Sequence, residues 1–155
     1  MYIKSFDELT FQDNFIFQKV MLKKHICKAV LERLLDISIK DIVYIHEEKN
    51  LDVRWDTKSV RLDVFVNDDK GTVFNIEMQT SKDMEELVKR TRFYQSILDM
   101  YHIQKGQKYT TLNDSYVIFI CTFPVFTGNR HKYTFRNLCI EDYDIALNDG
   151  ATKLF

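Results

Sequence analysis

Two alternating segments joined by a short turn restrict this chain more than any other feature. In Arg61-Leu62-Asp63-Val64-Phe65-Val66, the apolar Leu62, Val64 and Val66 share one face. In Val73-Phe74-Asn75-Ile76-Glu77-Met78-Gln79, Phe74, Ile76 and Met78 do the same. Apolar residues at every second position specify strands that turn one face to a core. Between the segments, Asn67-Asp68-Asp69-Lys70-Gly71 has turn chemistry. An antiparallel hairpin is the expected product. With its loop centred on Lys70, Leu62 faces Met78, Val64 faces Ile76 and Val66 faces Phe74, so one side becomes wholly apolar. The other side sets Asp63 opposite Glu77, with Cβ atoms about 4.5–5.5 Å apart. Gln79 projects from the same face as Glu77. A register slip of one residue would turn the apolar side to water, so the pattern itself resists slipping.

Two carboxylates held this close repel each other, and directly opposed like charges destabilise a sheet. A divalent cation removes the conflict, because hard oxygen ligands are what Mg²⁺ or Mn²⁺ accepts. Such an ion polarises a phosphoryl oxygen and lowers the pKa of water for in-line attack. From the residues alone, a second reading stays open: two acids on a solvated sheet face.

The rest of the chain reads as one soluble domain. Its 155 residues are enough to bury a sizeable core. Apolar residues make up 45% and charged residues 29%, and one Pro and four Gly exclude collagen-like and linker-rich classes. No apolar run approaches the roughly 20 residues needed to span a bilayer. The start lacks a basic segment followed by a long apolar one, so no signal peptide is expected. Cys27, Cys121 and Cys139 are odd in number and form no CxxC pair. They read as reduced thiols of a cytoplasmic protein, which leaves zinc unsupported. His25, His46, His102 and His131 show no ligand spacing.

Residues 13–36 read as a first helix, with Asp13 or Thr10 as N-cap and a stripe from Phe17 to Leu35. Ile39 to Ile45 is the expected first strand, and residues 50–59 are expected to be a loop or ragged hairpin. Trp55 in that stretch reads as packing or as a base-stacking wedge. Residues 83–104 are expected to form a long amphipathic helix, with Met84, Leu87, Val88, Thr91, Leu98 and Tyr101 near one side. Gly106 is expected at its C′ position. Ser115 to Cys121 is almost all apolar, as in a strand buried on both faces, and Phe135 to Ile140 is a candidate further strand. Helix, three strands, helix, strand implies an α/β or α+β layer of helices on a mixed sheet.

Net charge is −1, but basic residues cluster locally. Lys19, Lys23, Lys24, His25 and Lys28 form one group. Lys89, Arg90, Arg92, Lys105 and Lys108 form a second, and Arg130, His131, Lys132 and Arg136 a third. They serve either as solvated faces or, gathered on one side, as a track for phosphates. Arg90 and Tyr94, i and i+4 on one helix face, read equally as a structural pair or as contacts to a phosphate or to the acids.

Asp63, thirteen intervening residues and then Glu77-Met78-Gln79 resemble the PD-(D/E)xK nuclease superfamily. More closely, the chain resembles its recombination-promoting branch of transposase-like nucleases, from about Asp13 onward. Asp13-Asn14-Phe15-Ile16-Phe17 is similar to the acidic, Phe-containing start of that branch's first helix. Arg90, Tyr94 and Ser96 are similar to its Arg-x3-Tyr-x-Ser helix. Gly106-Gln107-Lys108-Tyr109-Thr110-Thr111-Leu112 is similar to its Gly-x2-Tyr-x2-Leu segment.

The resemblance implies an α/β, restriction-endonuclease-like αβββαβ core, a mixed sheet flanked by helices. It implies Mg²⁺- or Mn²⁺-dependent cleavage of DNA phosphodiesters, with no organic cofactor and no membrane. Asp63 and Glu77 would be catalytic metal ligands, Asp13 would add an acidic ligand through water, and Gln79 would stand where the motif usually has lysine. Arg90, Tyr94, Lys89 and Arg92 would support the site or hold phosphate. Gln18 departs from the branch's frequent Lys, and no Pro precedes Asp63. Family members usually continue past this end into a helical region. The expectation is therefore one nuclease-like domain over residues 1–155 that lacks that region and forms a homo-oligomer, such as a dimer. The alternative is a truncated, non-catalytic relative that binds DNA or regulates a full-length nuclease by dimerising with it. An RNA-directed nuclease is a third reading.

Overall fold

A computed structural model describes residues 5–51 and 60–155; Trp55 lies outside the described residues. The hairpin forms in the expected register. Strands β2 (Val60–Asp68) and β3 (Val73–Gln79) pair Val64 with Ile76, Phe65 with Asn75, Val66 with Phe74 and Asn67 with Val73. Asp68 builds the turn: its Oδ1 accepts the Lys70 N–H at 2.9 Å and the Thr72 N–H at 2.8 Å. Gly71 supplies the left-handed backbone at φ 82°.

Around this hairpin lies a six-stranded sheet in the order β1-β2-β3-β4-β6-β5, with β1 Ile42–Leu51, β4 Ser115–Cys121, β5 Thr134–Phe135 and β6 Ala151–Leu154. β2 is antiparallel to both of its neighbours, β1 and β3; β3 and β6 flank β4 in parallel; β5 is antiparallel to β6. Helix α3 (Met84–His102) connects β3 to β4, as a parallel neighbour requires. This is the mixed sheet flanked by helices of a restriction-endonuclease-like α/β fold.

The first helix is two: α1 (Asn14–Met21) and α2 (Lys24–Leu35), broken where Lys23 turns extended at ψ 105°. Phe17, Met21, Cys27 and Leu31 are all fully buried. On one continuous helix, at about 100° per residue, the Phe17/Met21 and Cys27/Leu31 stripes would point roughly 80° apart. The break lets both face the sheet, against Val64, Val66, Phe74, Ile76, Ile118 and Leu154. Each such side chain stabilises the fold by roughly 1.5–3 kcal/mol on burial.

α3 covers the opposite face. Asp83 caps it by accepting the Glu86 N–H at 3.1 Å, and Leu87, Tyr94, Ile97 and Leu98 pack on Phe65, Val73, Val117 and Phe119. Three expectations change here. Val88 and Tyr101 lie 48% and 50% exposed, and Tyr94 and Ile97 take the inward positions. Leu62 joins the α3 cluster rather than the Val64 side. Gly106 does not cap the helix, whose C-cap is Ile103; it occupies a later turn at φ 89°, in which the Gln107 N–H reaches Gln104 O at 3.1 Å. β1 also extends past Ile45 to Leu51, and β5 ends at Phe135.

Past β5 the chain folds into a hairpin-like arm, in which Cys139 N–H bonds Ile145 O and Leu147 N–H bonds Asn137 O, each at 3.0 Å. Its Ile140, Tyr143 and Leu147 are 77%, 72% and 67% exposed. The three cysteines are free thiols. Among the described residues no helix is long and apolar enough to cross a membrane.

Candidate active site

Because α3 lies over the face that carries Asp63 and Glu77, these are not acids on a solvated sheet. Glu77 is 3% exposed, and Gln79 is buried beside it. The β2–β3 ladder runs outward only to Val64 and Ile76, one step short of the acids. Beyond it, side chains replace main-chain acceptors. The Asp63 N–H donates to Glu77 Oε1 at 3.1 Å, and the Met78 N–H donates to Asp63 Oδ2 at 3.1 Å. Each acid thus satisfies a donor of the opposite strand and is fixed by it. β3 meanwhile keeps its pairing with β4, Glu77 opposite Phe119 and Gln79 opposite Cys121.

The electrostatics follow from burial. Desolvation first, and the Asp63 charge second, push the Glu77 carboxyl up to about 8. The Asp63 carboxyl is also raised by burial, an effect opposed by the Met78 N–H, the Asn14 side chain and the Arg90 charge. Near neutral pH burial and the Asp63 charge therefore favour the protonated form of Glu77.

Arg90 answers the remaining charge. Its Nη1 donates to Gln79 Oε1 at 2.9 Å, and its Nη2 donates to Glu77 Oε2 at 3.2 Å and to the Tyr94 hydroxyl at 2.9 Å. The guanidinium also lies 5.1 Å from the Tyr94 ring centroid and 5.1 Å from that of Phe119. Those two rings stack at 6.0 Å. Gln79 is oriented at its other end, where Nε2 donates to Ser81 O at 2.7 Å and Ser81 Oγ at 3.0 Å. Its amide oxygen therefore points to the cluster.

The structure brings Asp63, Glu77, Gln79, Arg90 and Tyr94 together. Asp13 sits at the N-cap of α1, its carboxylate accepting the Thr10 N–H at 2.7 Å. Its neighbour Asn14 makes the contact to Asp63. Lys89 pairs with Glu85 at 2.6 Å on the exposed side of α3, and with Arg92 it lines a groove that reaches Arg90. Two other basic residues hold the framework: Lys28 donates to Lys40 O, and Lys132 bonds Asp36 and Leu34 O. Asn14, Ser81 and Phe119 were missed as site residues. Asn14 falls inside the acid-Asn-Phe pattern, whereas nothing in an apolar strand marks Phe119 as an arginine platform.

Among the described residues no group of three or more His, Cys, Asp and Glu is placed to hold a metal ion. The donor set still suits a hard divalent cation: two carboxylates and an amide oxygen, buried, with the acids in conflict.

Residues 12–149 match a family model described as PD-(D/E)XK nuclease family transposase. No curated protein and no solved structure matches the chain.

Proposed function

The chain belongs to the PD-(D/E)XK nuclease family transposases, and on that footing we propose that it is a Mg²⁺- or Mn²⁺-dependent DNA endonuclease of the recombination-promoting type. The observation that carries the proposal is the buried cross-strand pair Asp63/Glu77 with the Gln79 amide oxygen turned toward it. A nuclease-type function is what the family indicates, and its members typically use divalent metals.

Asp63 and Glu77 are the residues that would hold the cation, with Gln79 Oε1 as an added oxygen and Asp13 at the margin of α1. When bound, the cation supplies Lewis-acid polarisation of a phosphoryl oxygen and helps generate the attacking hydroxide. The protein's own groups do the rest. α3 excludes water from Glu77, which strengthens charge interactions there. Ser81 holds the Gln79 amide in one orientation. Arg90, from the edge of the groove, and the Tyr94 hydroxyl offer donors to an anionic phosphate, and Lys89 and Arg92 line the same groove as supporting cations, their charge offset there by Asp83, Glu85 and Glu86.

The same proposal includes one nuclease-like domain over residues 1–155, a cytoplasmic location and a homo-oligomer. The exposed apolar Ile140, Tyr143 and Leu147 of the arm and the apolar groove on α2 lined by Ile26, Ala29, Val30 and Leu34 support the homo-oligomer, as surfaces that a second copy would cover.

One observation favours the rival, a non-catalytic relative that binds DNA or regulates an active nuclease: Arg90 already gives Glu77 and Gln79 a partner. Incubation of supercoiled plasmid with protein and Mg²⁺ or Mn²⁺ separates the two. Nicking that disappears with chelator and in Asp63→Ala is expected. Intact plasmid with well-folded wild type, or equal nicking by the variant, favours the rival.

A further inference from the structure

Resting on the reading of Asp63 and Glu77 as cation ligands, we propose that Arg90 is a built-in competitor for that cation, swinging to Glu86 when a cation binds.

Glu77 has two oxygens, and Oε1 is held by the Asp63 main-chain N–H. Oε2 takes the side-chain donor rather than a main-chain one and is the freer oxygen to ligate, and Arg90 Nη2 sits on it at 3.2 Å. Arg90 Nη1 takes the Gln79 amide oxygen at 2.9 Å. One guanidinium therefore occupies side-chain oxygens of both Glu77 and Gln79, the β3 residues that would help hold a cation. A divalent ion placed there would face a fixed positive charge at contact distance, so the two positions exclude each other.

The hold on Arg90 is releasable. Its Nη2 divides itself between Glu77 and Tyr94, so the ion pair is not the two-pronged arrangement that makes Arg–carboxylate contacts strong. The Arg90 side chain is 25% exposed and opens onto the groove along α3. That groove is lined by Asp83, Glu85 and Glu86. Glu86 is one helical turn before Arg90 on the same face, the spacing at which Glu and Arg pair. Glu85 is engaged by Lys89 and Asp83 caps the helix, which leaves Glu86 as the landing place.

Mn²⁺ binding to the DNA-free protein, followed by calorimetry, tests this without reference to cleavage. Arg90→Ala is expected to bind Mn²⁺ about tenfold more tightly than wild type, or better still. Arg90→Lys keeps the charge but not the fork, and is expected to bind more tightly than wild type by a smaller factor; equality with wild type would mean that only net charge matters and would overturn the competition. Glu86→Gln is expected to weaken Mn²⁺ binding a few-fold, because displaced Arg90 loses its alternative partner. Circular dichroism checks that each variant is folded.

Two failures are distinguishable. If Asp63→Ala abolishes Mn²⁺ binding but Arg90→Ala leaves it unchanged or weaker, the competition is wrong and the metal site stands. If wild type and Arg90→Ala bind no Mn²⁺, or Asp63→Ala binds as wild type does, the metal site falls and the competition with it.

Discussion

The main chain of Asp63 donates to the side chain of Glu77 at 3.1 Å, so the acid that would serve chemistry also closes the end of the β2–β3 ladder. Its mirror contact, Met78 N–H to Asp63 Oδ2 at 3.1 Å, gives Asp63 the same double duty. Mutating either acid therefore touches stability and activity together, and the substitution chosen decides which is read.

Asp63→Asn keeps an oxygen for the Met78 N–H, whereas Asp63→Ala leaves that donor without its partner. The alanine variant is expected to lose about 1–3 kcal/mol in urea unfolding and the asparagine variant less than about 1 kcal/mol. Both are expected to lose plasmid nicking. An asparagine variant that nicks as wild type does would remove Asp63 from the chemistry.

Glu77 makes stability depend on pH. Its carboxyl rises from 4.5 to about 8 in the folded protein, through burial first and the Asp63 charge second. The native state therefore keeps a proton that the unfolded chain releases. Stability from this group is full below about pH 4.5 and is lost as pH rises through about 8. Metal-free wild type is expected to lose up to a few kcal/mol across that window. Glu77→Gln should flatten the profile, and Mn²⁺ should stabilise wild type more as pH rises. Urea melts at several pH values measure all three; a wild-type profile that climbs over this range contradicts the burial argument.

Gln79→Lys puts the superfamily's usual lysine back in the motif but sets an ammonium against Arg90, whose Nη1 now bonds the Gln79 oxygen at 2.9 Å. Loss of that acceptor and the new repulsion are expected to cost about 1–3 kcal/mol. Adding Arg90→Ala to Gln79→Lys should recover part of the loss. A double-mutant cycle reads the coupling, and additive losses would mean the two side chains do not interact.

Ile140, 77% exposed on the arm, tests the proposed homo-oligomer. Light scattering after size exclusion is expected to show a dimer for wild type. Ile140→Asp is expected to raise the dissociation constant at least about tenfold. A wild-type monomer at high concentration would sink the arm-mediated dimer.

Much of the sheet was legible because period-two patterning with a strong turn allows one register. Val64 opposite Ile76 and Val66 opposite Phe74 follow from it. The sequence suggests one continuous first helix because Phe17, Met21, Cys27 and Leu31 are all apolar at helical spacings within each half. Only the common sheet they must face requires the break at Lys23. The inward face of α3 is only partly legible for a related reason: Val88 is apolar yet sits at 48% exposure, while the buried Tyr94 serves Arg90 and Phe119.

By itself, then, the sequence determined the hairpin, its register and the juxtaposition of Asp63 with Glu77, because alternation and turn chemistry are local and a slip of one residue would expose a core face. The tertiary structure decided what that juxtaposition means. Packing α3 over the acids' face buried Glu77, raised its carboxyl to about 8 and delivered Arg90 to Glu77 Oε2 and Gln79 Oε1. Burial and charge pairing are sums over neighbours distant in sequence, so no local pattern around residue 77 contains them.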